Sequence, residues 1–220
     1  MLIVIEGLDG SGKATQTQLL ARRLKEKGEG VREVSFPDYD SPSSSLVRMY
    51  LNGEFGSHPD DVNAYAASSF YAVDRYASFK KEWEGDYEKG IVVADRYTTS
   101  NAIHQCGKLP QSAWDEYLSW LFDFEYRLLG IPAPDLVLYL QADPDVSQRL
   151  LKKRYEGEDK RDIHEKDIAY LAKCQKAAAY CAAKLGWRTI ECAKDGAMRT
   201  IESIREEIWG VVAGLLRAER

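Results

Sequence analysis

The sequence predicts an α/β protein, a five-stranded parallel sheet with helices on both faces. Five short runs, LIVI (2–5), VREVS (31–35), IVVA (91–94), LVLYL (136–140) and WRTIE (187–191), are nearly continuous in apolar residues, as strands buried on both faces require. Helical patterns separate these runs, which is the alternation of a doubly wound sheet. Each run is followed by polar, chemically capable residues, at the strand ends where ligands of such sheets bind. With 220 residues, 45% of them hydrophobic and 11% aromatic, the chain has enough apolar material for a single domain covering 1–220.

Run 2–5 leads into GLDGSGK (7–13) and a helix over 13–27 that places Leu19, Leu20 and Leu24 on one side, with Gly28 as its stop. After the second run comes FPDY (36–39), and SPSSS (41–45) and GEFGSHPDD (53–61) mark loops. In HPDDVNAYAASSFYAVDRYASFKKEW (58–83) the spacing predicts a helix with Phe70, Val73 and Ala77 toward the core and Tyr71 and Arg75 on a neighbouring stripe. A ring one turn from a guanidinium can clamp a planar base, and it can equally be a core tyrosine beside a surface Asp74–Arg75 pair.

The third run opens into DRY (95–97), then Ser100, Asn101, His104 and Gln105 on one helical face. Arg96 suits a phosphate held bidentately, and Asp95 suits a metal-bound water or a sugar hydroxyl. The helix over 112–129 carries large apolar side chains all round, so it must be buried in the fold or against a partner subunit. Gln141 and Asp143 follow the fourth run, and AKDG (193–196) follows the fifth. Between them Arg149, Lys152, Lys153, Arg154, Arg161, Asp162, His164 and Glu165 form a charged stretch, readable as a solvated surface or as a lid closing over phosphates. His58 and His164 are read as surface residues, and Cys174 and Cys181 as a helix's packed face.

The formal net charge of -5 and the lack of a long basic run exclude a broad nucleic-acid footprint. Cys106, Cys174, Cys181 and Cys192 contain no CxxC pair, and the histidines form no metal-ligand pattern. Free thiols suit a reducing cytoplasm. No apolar run approaches a membrane span and no signal segment opens the chain, so a cytoplasmic protein without membrane contact is expected.

Gly7, Gly10 and Gly12, with Lys13 next, have the spacing of a phosphate-binding loop between a strand and a helix. Glycines let successive backbone N–H groups of Asp9, Gly10, Ser11 and Gly12 approach phosphate oxygens, and the helix adds its positive end. Ala14 stands where the pattern has a hydroxyl for Mg²⁺, leaving Thr15, Asp9, Asp95 and bridging waters to hold the metal.

In their order and spacing, GLDGSGK, FPDY, YAVDR, DRYTTSNAIHQ, PDLVLYL, the charged stretch and the closing helix resemble the thymidylate kinase family across nearly the whole chain. The resemblance implies a P-loop NTPase-type three-layer fold with a short lid at roughly 149–165, ATP and Mg²⁺ as cofactors, and phosphoryl transfer to dTMP. It implies Lys13 at the ATP phosphates, Asp9 at the sugar 3′-hydroxyl or a metal water, Phe36 and Tyr71 at the base, and Arg75 at a thymine carbonyl. It further implies Arg96 at the dTMP phosphate, Asn101 at the base, Glu165 in the lid near substrate, and a homodimer through helix 112–129. Gly10 replaces an arginine found in some members, so transfer would draw its cations from Arg149, Lys153, Arg154 and Arg161. Asp38 and Tyr39 stand where many members are basic, and His104 stands where a tyrosine crowds the ribose 2′-hydroxyl. Two other readings remain at this stage: another P-loop nucleoside or nucleotide kinase, and a nucleotide-binding module without transfer activity.

Overall fold

The computed structural model describes residues 1–142, 146–147 and 163–218, with the backbone alone for Glu165 and Lys166. The sheet contains β1 (Leu2–Glu6), β2 (Val31–Ser35), β3 (Ile91–Asp95), β4 (Leu136–Gln141) and β5 (Arg188–Glu191), in the order β2-β3-β1-β4-β5 and parallel throughout. Its two faces divide β1 by the period of two. Ile3 and Ile5 pack with Leu20 and Leu24 of α1 (Lys13–Glu26) and with Ile204, Ile208 and Val212 of the carboxyl-terminal helix, residues Ile201–Ala218. Leu2 and Val4 pack on the opposite face with Phe79, Trp83 and Tyr97. Helices therefore cover both sides, and the core is continuous through the sheet.

The outer strands are less apolar than the inner ones, for a simple reason. β2 and β5 are edges, so Arg32, Glu33, Arg188 and Glu191 remain exposed, whereas residues 2–6 of β1 are fully buried. Helix α1 stops where expected: Gly28 follows its cap with φ 86°, the left-handed conformation that a glycine takes without a Cβ clash.

The segment expected as a loop at 41–45 instead starts a helix. The Ser41 side chain accepts from the Ser43 amide, Pro42 opens a 3₁₀ turn, and α2 (Ser45–Leu51) continues from it. In α3 (Ala64–Ser78) the core stripe is Ala64, Ala67, Ser68, Ala72, Arg75 and Ser78. Val73, expected inside, is 44% exposed. The small residues let α3 lie close to α5 (Thr98–Cys106), and that approach turns Val73 outward. A π-helical run, Phe79–Trp83, leads into α4 (Glu84–Lys89) and then β3.

The apolar run at 112–129 is helical in two parts. A regular helix, α6 (Trp114–Phe122), buries Trp114, Tyr117, Leu118 and Leu121, and a π-helical segment, Asp123–Leu128, turns Glu125 fully inward. After the short helix α7 (Ile163–Lys166), α8 (Ile168–Leu185) packs on α5 with Cys174, Ala177, Ala178 and Cys181 buried. All four cysteines are free and buried. AKDG forms a two-strand hairpin, Ala193–Lys194 with Ala197–Met198, ahead of α9 (Ile201–Ala218). Among the described residues no helix is long and apolar enough to cross a membrane.

Candidate active site

The carboxyl ends of β1, β2 and β3 open on a cavity of about 860 Å³. The AKDG hairpin does not line it, so the first three strand ends supply this rim. The loop after β1 brings Asp9, Gly10, Gly12, Lys13, Ala14 and Thr15 to the wall. Two of its glycines are required by geometry. A Cβ on Gly7 would stand 2.8 Å from the Leu140 carbonyl oxygen and 2.6 Å from Ser11 Oγ. Gly12 caps α1 at φ 90°, a conformation costly for any residue with a Cβ. Ser11 Oγ is buried without a hydrogen-bond partner among the described residues, a donor left for an incoming group.

Arg96 stands at φ 67°, a left-handed conformation that costs about 1 kcal/mol in a non-glycine residue and is concentrated at functional sites. Its guanidinium binds Asp9 Oδ1 and donates to Ser100 Oγ at 3.3 Å, with Glu6 Oε1 at 3.9 Å. Glu6 is fully buried and hydrogen-bonded through both oxygens: Oε1 accepts from the Gly7 amide at 2.9 Å, and Oε2 from Thr99 Oγ1 at 2.7 Å and Ser100 Oγ at 2.8 Å. One buried carboxylate thus fixes the start of the phosphate loop, the start of α5 and the side of Arg96. Lys13 Nζ donates to the Leu8 carbonyl at 3.0 Å and lies 3.5 Å from Asp9.

Burial acts to raise the Asp9 carboxyl, but the Arg96 and Lys13 cations outweigh it and hold it well below the usual carboxylate range. Burial and neighbouring Arg96 push the Lys13 ammonium down. Burial works against the Arg96 charge, yet Asp9 and Glu6 raise it above the ordinary arginine value. The cluster is therefore a set of fixed cations and anions ready to exchange one anion for another. Asp95 Oδ1 is buried without a hydrogen-bond partner among the described residues. Among the described residues no three His, Cys, Asp or Glu side chains converge on one metal position. The unpartnered Asp95 oxygen is the kind of donor that fits Mg²⁺, which takes one or two carboxylates and keeps several waters.

Phe36, Pro37, Tyr39, Tyr71, Arg75, Asn101 and His104 also line the cavity. The Phe36–Pro37 bond is cis. Asp74 accepts from the Asp38 amide at 2.8 Å and Ser43 Oγ at 2.6 Å, while Arg48 donates to the Tyr39 carbonyl at 2.7 Å, so α2 and α3 hold FPDY from both sides. Asp74 is thus a loop anchor, not the partner of Arg75. Arg75 is 1% exposed and pairs with Glu125, its Nε at 2.7 Å and its Nη2 at 2.6 Å from the carboxylate.

His164, read from sequence as a surface residue, is buried and lines the cavity. Its ring stacks 5.5 Å from that of His104 at 16°, and its Nε2 lies 2.8 Å from the Tyr50 hydroxyl, to which Lys108 also donates at 2.7 Å. His104 Nδ1 faces the Tyr170 hydroxyl at 3.4 Å. Burial, then Arg96, depresses His104 to about 3, and burial with His104 and Lys108 depresses His164 well below its ordinary value. Both rings are neutral near pH 7. Burial also brings Lys108 down to about 8.

Gln105 completes the wall, fully buried with both amide atoms unpartnered among the described residues. Of the residues singled out from sequence, Arg149, Lys153, Arg154 and Arg161 lie outside the described residues, as do 149–162 of the expected lid and Asp143. Glu165 is in α7, with its side chain outside the description. Sequence reading missed Glu6, Arg48 and Glu125. Glu6, a lone acid at the end of an apolar strand, carried the one usable signal, because such a residue must find partners when buried.

The sequence model of the thymidylate kinase family matches residues 5–208. A probable thymidylate kinase from Methanothermobacter thermautotrophicus is 30% identical over 213 residues, 97% of this chain and 94% of its own. Thymidylate kinase of Mycobacterium tuberculosis is 29% identical over 190 residues, 85% of this chain and 87% of its own. In three dimensions the chain is similar to thymidylate kinase from Candida albicans, with a TM-score of 0.72, 22% identity, and coverage of 97% of this chain and 91% of that one.

Proposed function

Because the chain belongs to the thymidylate kinase family, we propose that this cavity transfers the γ-phosphoryl group of ATP to the 5′-phosphate of dTMP, giving dTDP and ADP. One observation carries the assignment of roles: a single cavity joins the phosphate loop with Lys13, the Arg96 cluster, and the Arg75–Asn101 wall. A cavity of about 860 Å³ has room for a nucleoside monophosphate.

Lys13 and the loop amides would hold the ATP phosphates, with Gly7, Asp9, Gly10, Ser11, Gly12, Ala14 and Thr15 forming the cradle. Arg96 would take the acceptor phosphate in place of Asp9, and the Glu6 platform would keep its direction unchanged. Phe36, Tyr39 and Tyr71 would enclose the nucleoside, and Arg75 and Asn101 would read the base. An acceptor oxygen then attacks the γ phosphorus, the bond to the β–γ bridging oxygen breaks, and ADP carries that electron pair away. The acceptor is already anionic near neutral pH, so no general base is required, and positioning with charge neutralisation supplies the acceleration. Asp95 and Asp9, with Thr15 through water, are the residues that would hold Mg²⁺. When bound, that ion would neutralise charge on the ATP phosphates. Arg149, Lys153, Arg154 and Arg161, with Glu165, are proposed as the lid's contribution.

A homodimer through helix 112–129 is part of this reading, and Leu128 at 61% exposure is an apolar side chain of that helix for a second copy to cover. Free thiols suit a reducing, cytoplasmic setting. The test is ADP release from MgATP with dTMP, dUMP, UMP, dCMP, dGMP and thymidine as acceptors. Turnover is expected with dTMP and not with thymidine or purines, and Lys13→Ala or Arg96→Ala should lower kcat by about 10²–10³. Silence with every acceptor, in protein that binds ATP, would overturn the reading.

A further inference from the structure

We propose that Glu125 is the positioning residue for base selection: it locks Arg75 and Asn101 so that the cavity presents one donor beside one acceptor. The inference rests on the thymidylate reading and adds to it a group that touches no substrate.

Glu125 reaches the site from the π-helical segment of residues Asp123–Leu128 and is completely buried. Its Oε2 accepts from Arg75 Nε at 2.7 Å and Thr98 Oγ1 at 2.8 Å. Its Oε1 accepts from Arg75 Nη2 at 2.6 Å and, at the longer distance of 3.5 Å, from Asn101 Nδ2. The Asn101 nitrogen also lies 3.2 Å from the Ser68 carbonyl oxygen. A carboxylate and a carbonyl can only accept, so the amide must turn its NH₂ toward them. Oδ1 is thereby aimed the other way, with no hydrogen-bond partner among the described residues. The Nε and Nη2 edge of Arg75 is consumed by Glu125, and Nη1 is left without a partner among the described residues. Both Arg75 and Asn101 line the cavity.

A fixed donor next to a fixed acceptor is complementary to the C=O and N–H edge of thymine or uracil. Cytosine places an amino donor against the guanidinium and a bare ring nitrogen against Oδ1, so both contacts are mismatched and two buried groups lose their partners. A glutamine at 125 would put an NH₂ among these donors. Asn101 could then turn over, and the pattern would no longer be unique.

The experiment compares kcat and KM for dTMP and dCMP, with MgATP, in the full chain and in Glu125→Gln and Glu125→Asp. For Glu125→Gln, KM for dTMP should rise by roughly 10- to 100-fold, with kcat changed much less, and the dTMP:dCMP ratio of kcat/KM should fall at least about tenfold. Glu125→Asp, which keeps the charge, should restore part of that ratio. Equal losses for both nucleotides, with the ratio preserved, would make Glu125 merely structural and overturn the proposal. Should Glu125→Gln not fold, N3-methyl-dTMP tests the parent protein directly. It should bind at least about tenfold more weakly than dTMP, and equal binding would refute an acceptor facing N3. Absence of dTMP turnover in the parent protein would overturn the thymidylate reading itself, and the inference with it, whereas turnover with an unmoved ratio overturns the inference alone.

Discussion

Replacing Glu6 by alanine removes the carboxylate on which the phosphate loop, α5 and Arg96 converge. Its three donors are the Gly7 amide and the Thr99 and Ser100 hydroxyls, and Arg96 Nη1 lies 3.9 Å away. Hydrogen bonds to a charged group are worth about 1.5–3 kcal/mol each. The hydroxyls can rotate to other acceptors, so the full sum is not lost. The Gly7 amide cannot rotate, and Arg96 loses one of its two anions inside a buried site. Breaking a buried pair from one side costs about 3–5 kcal/mol, and that is the loss expected for Glu6→Ala. Glu6→Gln keeps the shape and one acceptor oxygen and should cost about 1–2 kcal/mol. With a urea slope of about 2–3 kcal/mol/M, the alanine midpoint should fall by about 1–2 M, followed by far-ultraviolet circular dichroism. An alanine variant within about 1 kcal/mol of the parent, or a glutamine variant as unstable as alanine, would refute this account of Glu6 as an anionic platform.

Acid should destabilise the fold through the stacked histidines. Their folded values are depressed, to about 3 for His104 and well below ordinary for His164. The unfolded chain takes up protons near pH 6.5 while the folded protein does not, so stability is full above that pH and falls below it, by about 1.4 kcal/mol per pH unit per histidine. Urea midpoints at pH 7.5, 6 and 5 would trace the slope, and His164→Gln should halve it. A flat profile would mean the rings are not buried neutral. Gly7→Ala should lose nucleotide affinity and stability together, because its Cβ meets the Leu140 carbonyl at 2.8 Å. Calorimetric titration with ATP and a melting curve measure both. Ala72→Asp, fully buried, should prevent folding, while Glu88→Ala at an exposed position of α4 should change stability by no more than about 0.5 kcal/mol, which expression and thermal melting would separate.

The sheet was legible in the sequence because each strand is short, apolar and followed by punctuation, and the glycine loop because its spacing is dictated by phosphate geometry. Arg75 and Asn101 were legible as polar residues at helical spacing. The groups that orient them were not. Glu125 sits 50 residues from Arg75, inside an aromatic helical run whose local pattern marks it as one more solvent-facing acid. Only the π-helical register turns it inward, and that register depends on packing and not on local composition. His164 looked exposed because its neighbours are charged, while the ring is covered by Tyr50 and His104 from two distant elements and by Tyr170 of the next helix. Val73 followed the apolar rule and lost to the small residues beside it, which allow the closer helix contact.

The strand order places β1 at the centre of the sheet, between β3 and β4. Both strands that carry the phosphate-binding groups, β1 and β3, are therefore interior, and the edges belong to β2 and β5. Amide protons of the edges can exchange through partial opening, whereas those of Ile3, Val4, Val92 and Val93 wait for the whole sheet to come apart. The binding loop and Arg96 are thus attached to the strands whose amides should exchange slowest within the sheet, and fraying at either margin can come and go without disturbing these anchor points.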